Sequence, residues 1–127
     1  MHVKVVDASA VAALVFAEPE AKAISVRLRK AVLSAPALLS FELASVCLKK
    51  LRRYPEQRET LLTAHRLVKQ MAVKYVDVEQ DEVVVLAEKT GLTVYDAAYL
   101  MVSANTSSRA RYLGRDLVAS SKIIRLI

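Results

Sequence analysis

At 127 residues, 54% hydrophobic and 25% charged, the chain is sized for one domain, 1–127, with a buried core, and no apolar run reaches the roughly 18 residues of a membrane span. A single cysteine, Cys47, excludes an internal disulfide and a zinc site built on thiolates, and the two glycines, Gly91 and Gly114, exclude a Gly-rich phosphate loop. The net charge of +6 is uneven: residues 22–69 carry eleven Lys/Arg against three acids, residues 70–96 two against six, and residues 97–127 five against one, a distribution that suits a polyanion or a solvated helix face.

The opening MHVKVVDASA lacks the basic segment and cleavage site of a signal peptide, so a cytoplasmic protein without membrane attachment is the expectation. VKVVD at 3–7 is a short β-branched run that predicts a buried strand, followed by a helix over ASAVAALVF. Pro19 is a good first-turn residue and predicts a second helix to about Ala31. VLSAP then predicts a short strand or turn. Pro36 opens a helix through about Arg53, with apolar residues at 38, 39, 43, 46 and 47. Pro55 marks a break, and Glu56 to about Ala72 predicts a single basic amphipathic helix. VKYVDV at 73–78 predicts a strand, Glu79 to Lys89 a helix stopped by Gly91, and Thr93 to about Ser103 another helix. ARYLG predicts a strand, LVASSK a short helix, and IIRLI a last strand. Strands alternate with helices and no hairpin signal joins them. That pattern predicts an α/β fold with a parallel sheet and helices on both faces. In such folds, sites form beyond the carboxyl ends of the strands.

Four carboxylates occupy telling positions. Asp7 ends the first strand, where it serves equally as the N-cap of the next helix. Glu42 lies three residues after Leu39 and four before Val46, on one stripe with both. A carboxylate on an inward stripe needs a cation, strong donors or a route to water. Asp96 completes Thr93-Val94-Tyr95-Asp96, a T-x-x-D capping box in which Thr93 is the N-cap. Asp116 follows ARYLG and also suits an N-cap. Separations of 35, 54 and 20 residues mean that only the folded chain gathers the four. Converged, their repulsion would favour protonation or a divalent cation. An all-oxygen set without thiolate suits Mg²⁺ or Mn²⁺. Beside a basic tract, such an ion points to phosphodiester hydrolysis, polarising the phosphoryl group and acidifying an attacking water.

VVDASA at 5–10, PALLSFELASV at 36–46, LTVYDAAYL at 92–100 and YLGRDLVAS at 112–120 together resemble the PIN-domain family, and within it the VapC-type toxin ribonucleases. The third string carries the most specific part of the resemblance. The family implies a three-layer sandwich, a central twisted parallel sheet flanked by helices. It also implies Mg²⁺- or Mn²⁺-dependent endoribonuclease activity carried by Asp7, Glu42, Asp96 and Asp116 as catalytic and metal-binding residues. Ser9 matches a supporting hydroxyl position. A homodimer, and inhibition by a small cognate antitoxin that covers the acidic pocket, are implied as well. Ser45 stands where the family often has Asn, and Gly114 where it often has Thr.

The remaining polar and aromatic residues read more plainly. His2 and His65 are solitary, without the i,i+4 partner of a helical zinc pair, and are expected at the surface. Cys47 is expected in the core. Tyr95 and Tyr99 are expected to pack a helix or a dimer surface, with base stacking as the other use. Lys49, Lys50, Arg52 and Arg53 follow Glu42 on its helix and either guide an RNA backbone or form a solvated face. The alternative to the nuclease is a catalytically weak or inactive PIN-fold module that binds RNA or a partner. A phospho-receiver domain is disfavoured, because Asp7 stands without an acidic neighbour and no lysine follows the last predicted strand, IIRLI.

Overall fold

The structure, a computed structural model, describes residues 2–106 and 111–113. Strand β1 (His2–Val6) is followed by helices α1 (Ala8–Val15) and α2 (Ala21–Leu28), strand β2 (Ala31–Pro36), helix α3 (Leu38–Arg53), helix α4 (Arg58–Arg66) and strand β3 (Val73–Val76). Helices α5 (Gln80–Thr90) and α6 (Val94–Thr106) then lead to strand β4 (Arg111–Leu113). The four strands form one sheet in the order β3-β2-β1-β4, with every pairing parallel. The expected α/β sandwich, a parallel sheet between helices, is therefore the observed one.

Strand β1 shows why the sheet must be covered twice. Successive residues of a strand point to opposite faces, and both Val5 and Val6 are 0% exposed. Each face therefore meets an apolar layer. Val5, Val6 and Ala35 from the sheet join Val11 of α1, Leu39 and Leu43 of α3, and Tyr99 and Val102 of α6 in one core cluster. A smaller cluster joins Val83 of α5 to Ala97 and Ala98 of α6. Fully burying a side chain such as Leu39 or Leu43 stabilises by about 1.5–3 kcal/mol.

Three boundaries differ from the sequence expectation. Helix α2 ends at Leu28 rather than near Ala31, because Lys30 takes a left-handed conformation (φ 59°) that turns the chain into β2. Pro36 closes β2 instead of opening α3, whose first residue is Leu38. Its fixed φ suits either role, and at the last strand residue its missing N–H is tolerated. The expected helix from Glu56 to Ala72 is three pieces: a 3-10 turn at Pro55–Gln57, α4, and a second 3-10 turn at Leu67–Gln70. Gly91 does stop α5, in the left-handed conformation (φ 74°) and with its N–H donating to the Ala87 carbonyl at 2.9 Å. The segments LVASSK and IIRLI lie outside the described residues.

Candidate active site at the carboxyl edge of the sheet

The topology brings three helix N-termini to one edge. Helices α1 and α3 each follow a strand directly and so begin at its carboxyl end. Helix α6 precedes β4 in the chain, and β4 is parallel to β1, so α6 returns against the strand direction and also starts at the carboxyl edge. The strand order reverses at β1, with β2 and β3 on one side and the late strand β4 on the other. That is the position at which open parallel sheets leave a crevice for a ligand.

Asp7 stands at this reversal, immediately after β1, and is fully buried. Its backbone is extended (φ −108°, ψ 178°), as an N-cap requires, and its side chain caps α1. Oδ1 accepts from the Ser9 N–H at 3.0 Å, the Ala10 N–H at 3.2 Å and the Ser9 hydroxyl at 2.7 Å. The capping role expected of Asp7 is thus present, and the Ser9 hydroxyl falls against the same oxygen. Three donors thus converge on one oxygen of this buried carboxylate and offset part of its desolvation.

Glu42 occupies the second turn of α3 and is half-buried, between the buried Leu39 and Leu43 on the helix. Its Oε1 accepts from the hydroxyl of Tyr99, at 2.6 Å. Tyr99 is 0% exposed and lies three residues after Asp96 on α6, one turn along the same face. The phenol therefore ties the acid-bearing part of α3 to the acid-bearing turn of α6. Sequence reasoning gave Tyr99 packing or base stacking, and not this hydrogen bond. An aromatic on an apolar helix face reads as core, and its only signals were a polar tip that must find a partner when buried and a register shared with Asp96.

Asp96 is half-buried in the first turn of α6. Its N–H donates to Thr93 Oγ1 at 3.1 Å, and the Ala97 N–H donates to the Thr93 carbonyl at 2.9 Å. Thr93 is thus the helix cap that its spacing announced. Asp116 lies outside the described residues, so the described site holds three of the four expected acids. Among the described residues, no three of His, Cys, Asp and Glu stand close enough together to hold a metal ion. The residue types and their common edge fit a hard divalent cation; the side-chain positions of the described three do not by themselves compose its cage.

Away from this edge the residues are ordinary. Cys47 is buried and unbridged, and burial pushes its thiol pKa up, the opposite of what a reactive thiolate needs. His65 is half-buried and lines an open groove with Lys69, Met71 and Tyr75. Lys50 pairs with Glu18 at 3.2 Å and lies 5.2 Å from the Phe16 ring, while Arg53 lies 5.4 Å from the Tyr54 ring. Lys49, Arg52 and Arg53 are exposed. Beside Asp96, the exposed Tyr95 and Val94 border an apolar groove of about 480 Å³ whose other walls include Pro36, Leu38, Val78 and Val83.

No family model and no curated protein matches the sequence. Among solved structures, the chain is similar to the crystal structure of PAE2754 from Pyrobaculum aerophilum. The two share 25% identity over 98% of this chain and 89% of the other, with a TM-score of 0.61. That likeness concerns the fold. No described helix is long and apolar enough to cross a membrane.

Proposed function

We propose that the chain is a PIN-domain endoribonuclease of the VapC type, hydrolysing RNA phosphodiester bonds with Mg²⁺ or Mn²⁺ held by Asp7, Glu42, Asp96 and Asp116. The observation that carries this reading is the shared edge: three helices that start at the carboxyl edge of a parallel sheet carry acids at the cap (Asp7), in the first turn (Asp96) and in the second turn (Glu42), with Asp7 at the strand-order reversal. A bound divalent ion would supply polarisation of the phosphoryl oxygen and a more acidic water. The chain's own contribution is orientation. Ser9 and the α1 amides fix Asp7, Tyr99 meets Glu42, and Thr93 starts the helix that carries Asp96. Carboxylates are acceptors only, so the phosphate backbone would be bound by Lys and Arg, for which Lys49, Arg52 and Arg53 are exposed.

The test is RNA cleavage by wild type and Asp96→Asn during titration with Mn²⁺. Metal-dependent cleavage that is lost in the variant is the expected result, whereas equal, metal-independent cleavage by both proteins would refute the mechanism. As a toxin, the protein arrests growth when expressed, and a small antitoxin encoded beside it restores growth. Its homodimer is measurable by sedimentation.

One observation favours a second reading. The described acids do not approach one another closely enough to form a metal cage among themselves. A PIN-fold module that binds RNA or a partner without turnover would show salt-dependent RNA binding and no metal-dependent cleavage.

A further inference from the structure

The hydroxyl of Tyr99 is spent on one of the proposed site's acids. Its ring is buried in the main core cluster with Val5, Val6, Leu39 and Val102, so the ring position is set by packing from the sheet and two helices. The oxygen then reaches Glu42 Oε1 at 2.6 Å, a length typical of strong donation to a carboxylate. A glutamate has three side-chain torsions, and a half-buried one at a helix start samples several rotamers unless a fixed donor selects among them. Tyr99 is such a donor: rigid, buried and one helical turn from Asp96. A phenol is also neutral, so this contact orients the carboxylate without cancelling its charge.

We infer that Tyr99 is the positioning residue that fixes the Glu42 carboxylate for a divalent cation. The inference rests on the metal-dependent function proposed above. In this role Tyr99 is assigned no contact with RNA or with the ion. It acts through Glu42, as outer partners of metal ligands do, and removing such a partner lowers metal affinity or activity by about 10–100-fold.

The experiment uses the full chain as wild type, Tyr99→Phe, Glu42→Gln and the double variant. Tyr99→Phe keeps the ring that fills the core, and circular dichroism checks that each protein is folded. Mn²⁺ binding is measured by calorimetry without RNA, and cleavage is measured as kcat and KM. We expect Tyr99→Phe to weaken Mn²⁺ binding about tenfold and to lower kcat with KM unchanged. In the Glu42→Gln background the same change has no further effect on either quantity. Two results would overturn the inference: Tyr99→Phe that binds Mn²⁺ and cleaves as wild type does, or an equal loss in both backgrounds, which marks a packing defect. If wild type itself neither binds Mn²⁺ nor cleaves RNA, the proposed function fails and this inference falls with it. If wild type does both and Tyr99→Phe matches it, only the inference fails.

Discussion

The two ends of α3 do opposite things with charge. Near its start, Glu42 is half-buried and accepts from a phenol locked into the core. In its last turns, Lys49, Arg52 and Arg53 stand in solvent. From Glu42 to Arg53 is 11 residues, about 16 Å of helix at 1.5 Å per residue. Both placements agree with the helix dipole, which favours anions near the start and cations near the end. The dipole therefore explains neither as function. What separates the two ends is burial. A buried carboxylate has its direction fixed by specific donors, whereas exposed cations act through a diffuse, salt-screened field. The first suits chemistry at a point, and the second suits attraction of a polyanion.

The largest expected effect tests the buried side of this contrast. Asn caps a helix about as well as Asp, so Asp7→Asn should leave the fold intact. Its cleavage activity should fall about 100-fold or more, beyond what the loss of an outer partner produces. Thermal unfolding and an RNA cleavage assay on the same preparation check both halves. A fully active Asp7→Asn protein would reduce Asp7 to a cap, and the edge would lose its central acid.

The exposed side should respond to salt rather than to metal. Replacing Arg52 and Arg53 together by Gln should weaken RNA binding and lower the slope of log affinity against log salt by about 1 per lost phosphate contact. Stability should move by no more than about 0.5 kcal/mol, as for most surface substitutions. An unchanged salt slope would make this end of α3 a solvated face. Lys50 is a poor probe, since its Glu18 pair and Phe16 contact would confound the result.

A smaller effect falls between the two, at the start of α6. Thr93→Ala removes the acceptor of the Asp96 N–H and should cost about 1 kcal/mol, measured by denaturant unfolding, with Thr93→Ser restoring most of it. This cap was legible in the sequence because T-x-x-D is a local rule. So was the stop at Gly91, a residue suited to the left-handed turn it makes. The end of α2 was not legible, because Lys30 adopts the same left-handed conformation without being glycine. Only the need to feed β2 into the sheet sets that turn. Glu42 was legible as a candidate because a charge on an apolar stripe demands an explanation. Tyr99 was not, because its partner is 57 residues away and nothing local distinguishes a bonded buried phenol from a packed one.

The smallest expected effect has the opposite sign, and it lies within the sheet behind the site. VLSAP read equally as strand or turn, since serine is common in turns. In the fold, Ser34 lies on the interior strand β2, paired with Val5 and Lys74, and is 1% exposed. Its hydroxyl is buried and has no hydrogen-bond partner among the described residues. Such a group loses its hydration on folding and gains nothing in return. Ser34→Ala removes the hydroxyl with almost no change of volume, so it should be neutral or stabilise the fold by up to about 1 kcal/mol, read as a small upward shift in Tm. Asp7 is equally buried but has three donors on one oxygen, so truncating it to Ala should destabilise by about 1–3 kcal/mol through the amides left unsatisfied. A clear loss of stability in Ser34→Ala would show that the hydroxyl is satisfied in solution, and would remove the difference drawn between these two buried polar residues.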